Sequence, residues 1–170
     1  MNNESIDGYR LAPITTSRAA EIANHLENPE TWRPNNWFGF EHHTAPTGNQ
    51  STFSFGEGGA LAVLDTKNTI VGQVQWIPGF WYGGANRHRA WNIGMIIFQT
   101  HRRSRATSAA IELLTNYLFT HTNINRLEAT MPAESQKYEK SIRRLGFSVE
   151  GVLREAQWRE GSWRDAVIIS

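Results

Sequence analysis

The stretch WNIGMIIFQTHRRSRATS, from Trp91 to Ser108, constrains this chain most: an apolar, strand-like run meets a cluster of arginines at the start of an alanine-rich helix. A strand that feeds a helix through a basic loop sets the helix N-terminus at the strand's end. The first amides of a helix lack intrahelical partners and carry the positive end of its macrodipole, so an anion there gains hydrogen bonds and a favourable field together. Arg102, Arg103 and Arg105 add three guanidinium groups. The pattern predicts a phosphate-binding turn between a strand and the helix that packs on it.

That recognition has to be local, because 17 basic and 16 acidic residues leave a net charge of +1. Balanced charge speaks against general nucleic-acid binding, for which the arginine cluster would be the only support. The chain has no cysteine, which excludes disulfides, thiolate nucleophiles and sulfur-based zinc sites. The segment MNNESIDGYR has neither a basic nor an apolar signal region, and no apolar run reaches the roughly 18 residues of a membrane span. The expectation is a soluble, cytoplasmic protein without a membrane partner or a metal. At 170 residues it fits one domain, 1–170, with no repeat or linker to divide it.

Periodicity places the elements. Ala106, Ala109, Ala110, Leu113, Leu114, Tyr117 and Leu118 recur at helical spacing, the stripe of a helix lying on a sheet. Arg126 to Met131 reads as a strand with Leu127 and Ala129 on one face, ended by Pro132. A helix is expected from about Glu134 to Leu145, with Gly146 at its C-terminal cap. Phe147 to Trp158 and Ser162 to Ser170 read as strands joined near Gly161. Upstream, Tyr9 to Ile14 is an expected strand and Ser17 to Leu26 a helix with Ala19, Ile22, Ala23 and Leu26 inward. Gly59 to Asp65 and Thr69 to Trp76 form a hairpin around Lys67 and Asn68. The Pro-, Asn-, Gly- and His-rich segment from Asn28 to Gly58 reads as loop with short helical turns.

From Ala60 to Ser170 the chain resembles a GCN5-related N-acetyltransferase (GNAT), nearest the ribosomal-protein N-terminal acetyltransferase-like (RimJ/RimL) branch. The resemblance rests on NIGMII, the helix start ATSAA, INRLEA, RRLGF and the tail EGVLR followed by EGSWRDAVIIS. It implies an α/β fold whose mixed, mostly antiparallel sheet of about seven strands splays between the fourth and fifth, flanked by about four helices, with acetyl-CoA in the gap. Two anchors, Gly94 and the Phe119–Arg126 segment, put the cofactor loop at Arg102, Arg103, Ser104, Arg105, Ala106 and Thr107. Arg105 then stands where the family has glycine, and Thr107 where it has a small residue. A non-glycine residue at positive φ costs about 1–2 kcal/mol, so either the loop is helical enough to do without glycine or cofactor binding is altered. A register shifted by one, with His101 first and Ser104 and Ala106 on the small positions, stays open.

The family's chemistry is direct attack of an amine on a thioester. By position the resemblance assigns Ser135 to the pantetheine arm and Tyr138 to the sulfur. A phenol can donate a proton, so Tyr138 is the candidate general acid, with packing alone as the other reading. Carbonyl polarisation is expected from a backbone amide around Ile96, Ile97 and Phe98, at a strand irregularity. Glu41, His42, His43, Glu57 and His88 lie in segments that could reach the acceptor, and none stands out as base. At neutral pH an α-amine is deprotonated for about 1.4 kcal/mol and a lysine side chain for about 4.6 kcal/mol, so the lack of an evident base favours a low-pKa amine.

Aromatic residues crowd the part before the cofactor loop. Trp32, Trp37, Phe80 and Trp81 lie in Pro-, Asn- or Gly-rich contexts that read as loops, which suggests an aromatic pocket for a small-molecule or peptide amine. A homodimer is left open. The main alternative is a catalytically silent acyl-CoA-binding protein that keeps the fold, since Arg105, Ser135 and Tyr138 depart from the family pattern.

Overall fold

The computed structural model describes residues 4–32, 53–54, 58–84, 88–102, 104–134 and 139–170. Its sheet is built from β1 (Arg10–Pro13), β3 (Gly58–Leu64), β4 (Ile70–Tyr82), β5 (His88–Ile97), β6 (Leu127–Pro132), β7 (Val149–Arg159) and β8 (Ser162–Ile169), in the order β1-β3-β4-β5-β6-β8-β7, with the two-residue β2 (Phe53–Ser54) beside β3. The described helices are α1 (Thr16–Leu26), α2 (Pro29–Trp32), α3 (Ala106–His121) and α4 (Glu139–Arg144).

Every ladder is antiparallel except β5 with β6. That parallel contact holds two registered pairs, Trp91 with Leu127 and Asn92 with Glu128. Beyond Asn92 the strands part, and β6 pairs on its other edge with β8 from Ala129 to Pro132. The splay expected of the fold is therefore present, with its apex at Asn92 and Glu128.

Two apolar layers flank the sheet. Leu113, Leu114 and Leu118 of α3 are buried, and Ala106, Ala110, Leu114 and Leu118 join Trp76, Trp91, Ile93, Ile97, Leu127, Val167, Ile169 and Ile142 of α4 in the larger core. On the opposite face Ile22 and Leu26 of α1 pack with Ala62, Leu64, Ile70 and Phe98. Thr15 caps α1 through its side chain, which accepts from the Arg18 amide at 3.4 Å. The β7–β8 hairpin turns on Glu160 (φ 50°) and Gly161 (φ 78°). Two positive φ values in a two-residue loop match the twist of the flanking strands, which explains the glycine at 161.

The structure departs from the expected elements at β2, a short strand in the segment read as loop, and around the end of β4. Strand β4 runs to Tyr82 rather than ending at Trp76, because an irregularity between Pro78 and Trp81 absorbs Pro78 and Gly79 while pairing resumes at Trp81 with Arg89. Phe80 and Trp81 thus lie on a strand, and Trp32 lies in α2, rather than in loops. The described part of α4 begins at Glu139, and Gly146 (φ 87°) follows it as expected.

Leu114 is 1% exposed at the centre of the larger core. Leu114→Ala is expected to cost about 2–5 kcal/mol, lowering Tm by about 2–4 °C per kcal/mol in a thermal melt.

Candidate acyl-transfer site

The open edge of β5 follows from its register. Ile96 pairs with Gln73 and Gly94 with Gln75 on β4, and the Phe98 amide donates to Val71 O at 2.9 Å. The Trp91 amide points the other way, to Arg126 O at 3.1 Å. Alternation then turns the backbone of Ile93, Met95 and Ile97 toward the gap, where the parting of β6 leaves it without a ladder partner among the described residues. Of the three residues expected to polarise a carbonyl, Ile97 alone faces the gap; the Phe98 amide is occupied. The ladder runs regularly from Trp91 to Ile97, so the irregularity expected near Ile96 lies instead on β4 at Pro78–Trp81.

At the end of β5 the chain makes a 3₁₀ turn, Gln99–His101, and enters α3. Arg105 has φ −76°, and no described residue of this turn has positive φ. The loop is helical enough that arginine stands at the glycine position without strain. Ser104 Oγ accepts from the Ala106 amide, the first of the helix, at 3.1 Å. No acceptor among the described residues takes the amides of Arg105, Thr107 and Ser108.

The arginines divide their roles. The Arg102 guanidinium donates to Ile97 O at 3.3 Å, to Glu30 O at 2.8 Å and to Thr31 O, which ties α2 to the end of β5 rather than directing this side chain at a phosphate. Burial lowers its pKa from the usual arginine value, and Glu30 opposes the shift. Arg105 is well exposed, with Asp7 Oδ2 at 3.4 Å, and Ala106 is fully buried. Arg103, Ser135, Tyr138 and Trp37 lie outside the described residues.

At the apex stands a group that sequence reasoning missed. Glu128 is 2% exposed and accepts from Arg126 Nε at 2.7 Å and from the Tyr82 hydroxyl. Arg126 also pairs with Glu150, whose Oε1 accepts from Ser170 Oγ at 2.6 Å. The hydrogen bond to Glu128 raises the Tyr82 pKa above the ordinary phenol value, with burial adding to the shift. Arg126 and then Ser170 hold Glu150 below the usual carboxylate range. The signal was present in INRLEA: Leu127 and Ala129 face the core, so alternation puts Glu128 on the opposite face at the strand's start.

The expected aromatic pocket does not assemble from its described members. Trp32 donates from Nε1 to Leu26 O at 2.7 Å and packs on the α1 core. Phe80 is 75% exposed and meets Tyr82 edge-on at 6.1 Å. Trp81 lies on the other face, with Arg89 5.4 Å from its ring centroid and 4.9 Å from that of Trp91.

Residues 9–148 match the family described as an acetyltransferase (GNAT) domain. The chain belongs to the GNAT acetyltransferase family. It is 28% identical over 86 residues to the uncharacterized N-acetyltransferase YoaA of Bacillus subtilis, a match covering 51% of this chain and 49% of that protein. The chain spans about half the length of the curated relatives it matches. Among solved structures it superposes on spermidine N-acetyltransferase from Vibrio cholerae in complex with CoA and spermine, with a TM-score of 0.76, 18% identity and coverage of 96% and 95% of the two chains. Mycobacterium smegmatis RimJ in complex with CoA-disulfide gives 0.74 at 22% identity, over 95% of this chain and 80% of that one. These likenesses establish the GNAT fold.

The Tyr82 phenol should ionise above the ordinary value near 10, as read from the difference in ultraviolet titration between the protein and Tyr82→Phe. A raised pKa means that folding favours the protonated phenol. Its stabilisation is present below pH 10 and fades as pH rises through the folded value, so the stability gap to Tyr82→Phe should narrow only in strong alkali. Glu128→Gln should return the phenol toward 10.

Proposed function

We propose that this chain is an acetyl-CoA-dependent N-acetyltransferase acting on the primary amine of a small molecule or a peptide N-terminus. The observation that carries the reading is one continuous track: helix-entry amides without a described acceptor at the start of α3, the open β5 edge, and a buried carboxylate where β5 and β6 part. Family membership supports it. No described helix is long and apolar enough to cross a membrane, and we read the site of action as the cytoplasm.

The residues present suit such a ligand. The amides of Arg105, Thr107 and Ser108 would hold the pyrophosphate, with the Arg103 and Arg105 side chains adding charge. Ile93, Met95 and Ile97 offer the strand-like partner that an amide-bearing pantetheine arm needs, and the Ile97 amide points where a thioester oxygen can accept from it. Acetyl-CoA supplies an acyl group on a thiol leaving group of ordinary pKa, which departs without obligatory acid help. Tyr138, which follows β6 in the chain, is the proposed proton donor to that thiol and Ser135 the contact to the arm. Glu128 with Tyr82 is the apex group able to orient an incoming amine and take its proton as the N–C bond forms and the C–S bond breaks. Phe80, beside Tyr82, is the described aromatic best placed to contact the acceptor.

Thiol release from acetyl-CoA should be measured with a panel of α-amines, peptides and lysine side-chain amines. The expected result is turnover with kcat/KM rising about tenfold per pH unit until the acceptor α-amine pKa near 8, as the neutral amine becomes available. Stabilisation by coenzyme A with no thiol release from any amine would instead mark a silent acyl-CoA binder. Arg105→Ala should weaken coenzyme A binding by about 2–5-fold, a charge-assisted but exposed contact, in isothermal titration.

A further inference from the structure

Both described hydrogen bonds to the Glu128 side chain fall on one of its oxygens. Arg126 Nε donates to Oε1 at 2.7 Å, and the Tyr82 hydroxyl donates to the same atom. No described residue donates to Oε2. The buried side-chain atoms left without a partner among the described residues belong to Thr115, Gln157 and Arg159, so Oε2 keeps contact with solvent although the Glu128 side chain is only 3% exposed. One oxygen of the carboxylate is filled and the other is open.

An arginine beside a carboxylate ordinarily closes both oxygens. Nε and Nη2 of a guanidinium form a parallel fork that matches the two oxygens, and the bidentate pair is the strong one. Arg126 gives Glu128 its Nε alone, because Nη2 is taken by Glu150 Oε2. Glu150 reaches it from a bulge of β7: Val149 pairs with Ile169 and Gly151 with Ile168, so Glu150 is the extra residue. A bulge bends its strand and redirects the side chain it inserts. The backbone pairing of Ser148 with Ser170, at 2.7 and 3.0 Å, fixes the chain just before the bulge, and Ser170 Oγ donates to Glu150 Oε1 at 2.6 Å. The link passes over β8, which lies between β6 and β7 in the sheet. Glu150, and then Glu128, hold Arg126 above the ordinary arginine value, so it stays a cation.

We propose that Glu150 is a positioning residue for acyl transfer: by holding Arg126 Nη2 it splits the guanidinium fork and leaves Glu128 Oε2 open to the acceptor amine. The inference rests on the reading of Glu128 given above, as the group that takes the amine proton. Without an acceptor at position 150, Arg126 turns its second nitrogen onto Oε2, and the carboxylate becomes a closed ion pair. An oxygen already accepting from arginine is poorly placed to receive a proton from the amine. Glu150 touches no reacting atom itself; it acts through Arg126.

Glu150→Ala and Glu150→Leu offer Arg126 no acceptor, whereas Glu150→Gln keeps an oxygen for Nη2. Thiol release from acetyl-CoA with a peptide α-amine should fall about 10–100-fold in kcat/KM in the first two, part of what a placed base contributes, and less than about threefold in Glu150→Gln. The coenzyme A Kd should stay unchanged in all three. Adding Arg126→Lys to Glu150→Leu should recover activity over Glu150→Leu alone, because an ammonium has no fork with which to cover both oxygens. A role confined to stability gives the reverse, since the double variant has lost both ends of the link. Equal losses in Glu150→Gln and Glu150→Leu, no loss in either, or a double variant weaker than Glu150→Leu would overturn the proposal. Failure of the unaltered protein to release thiol with any amine would count against acetyl transfer instead. The crystal structure of Glu150→Leu then reads the arginine without turnover: Nε and Nη2 on the two oxygens of Glu128 support the proposal, and Arg126 on Oε1 alone overturns it.

Discussion

The contact between β5 and β6 determines what the rest of this molecule can do. Two registered pairs, Trp91 with Leu127 and Asn92 with Glu128, join the half-sheet β1-β3-β4-β5 to the half-sheet β6-β8-β7. A longer parallel ladder would close the gap and satisfy the β5 edge internally. A shorter one would leave the halves held only by α3 packing beneath both. Large side chains make so brief a pairing sufficient: Trp91 and Leu127 lie in the main core together with Leu114 and Leu118 of α3. Apolar burial keeps the halves together, which frees backbone polar groups for a ligand.

Electrostatics are concentrated at that junction. Glu128 is buried yet has both a cation and a hydroxyl as partners, and Arg126 links it to the more exposed Glu150. Removing one member of such a group leaves another charge or hydroxyl without its partner in a poorly solvated place, so the members are fixed as a set. The set also locates Tyr82, at the far end of a strand that bends at Pro78 and Gly79 to bring it there. Strand irregularity and buried charge thus serve the same end of the gap.

Much of the fold was legible because its signals are local. The helical stripe from Ala106 to Leu118 and the glycines at 146 and 161 act within a few residues; α3, the end of α4 and the β7–β8 turn stand where expected. What was not legible depends on distance in the chain. The contacts of Arg102 with the carbonyls of Glu30 and Thr31 span some seventy residues, and nothing in a basic cluster distinguishes a guanidinium that binds phosphate from one that caps backbone oxygens. Glu128 drew no reading from the sequence because its partner Tyr82 lies 46 residues away in the chain. Pro78 and Gly79 read as a break because a register irregularity compensates for both, and that compensation belongs to the partner strand.

The backbone of the turn before α3 has a consequence for how such chains diverge. With Arg105 at φ −76° and no described residue of the turn in the left-handed region, the described positions make no stereochemical demand for glycine. The anion donors proposed for the turn are main-chain amides, which every residue other than proline possesses. Side chains at these positions can therefore differ in size and charge without altering the direction of the donors, so an arginine serves where the family's pattern has glycine.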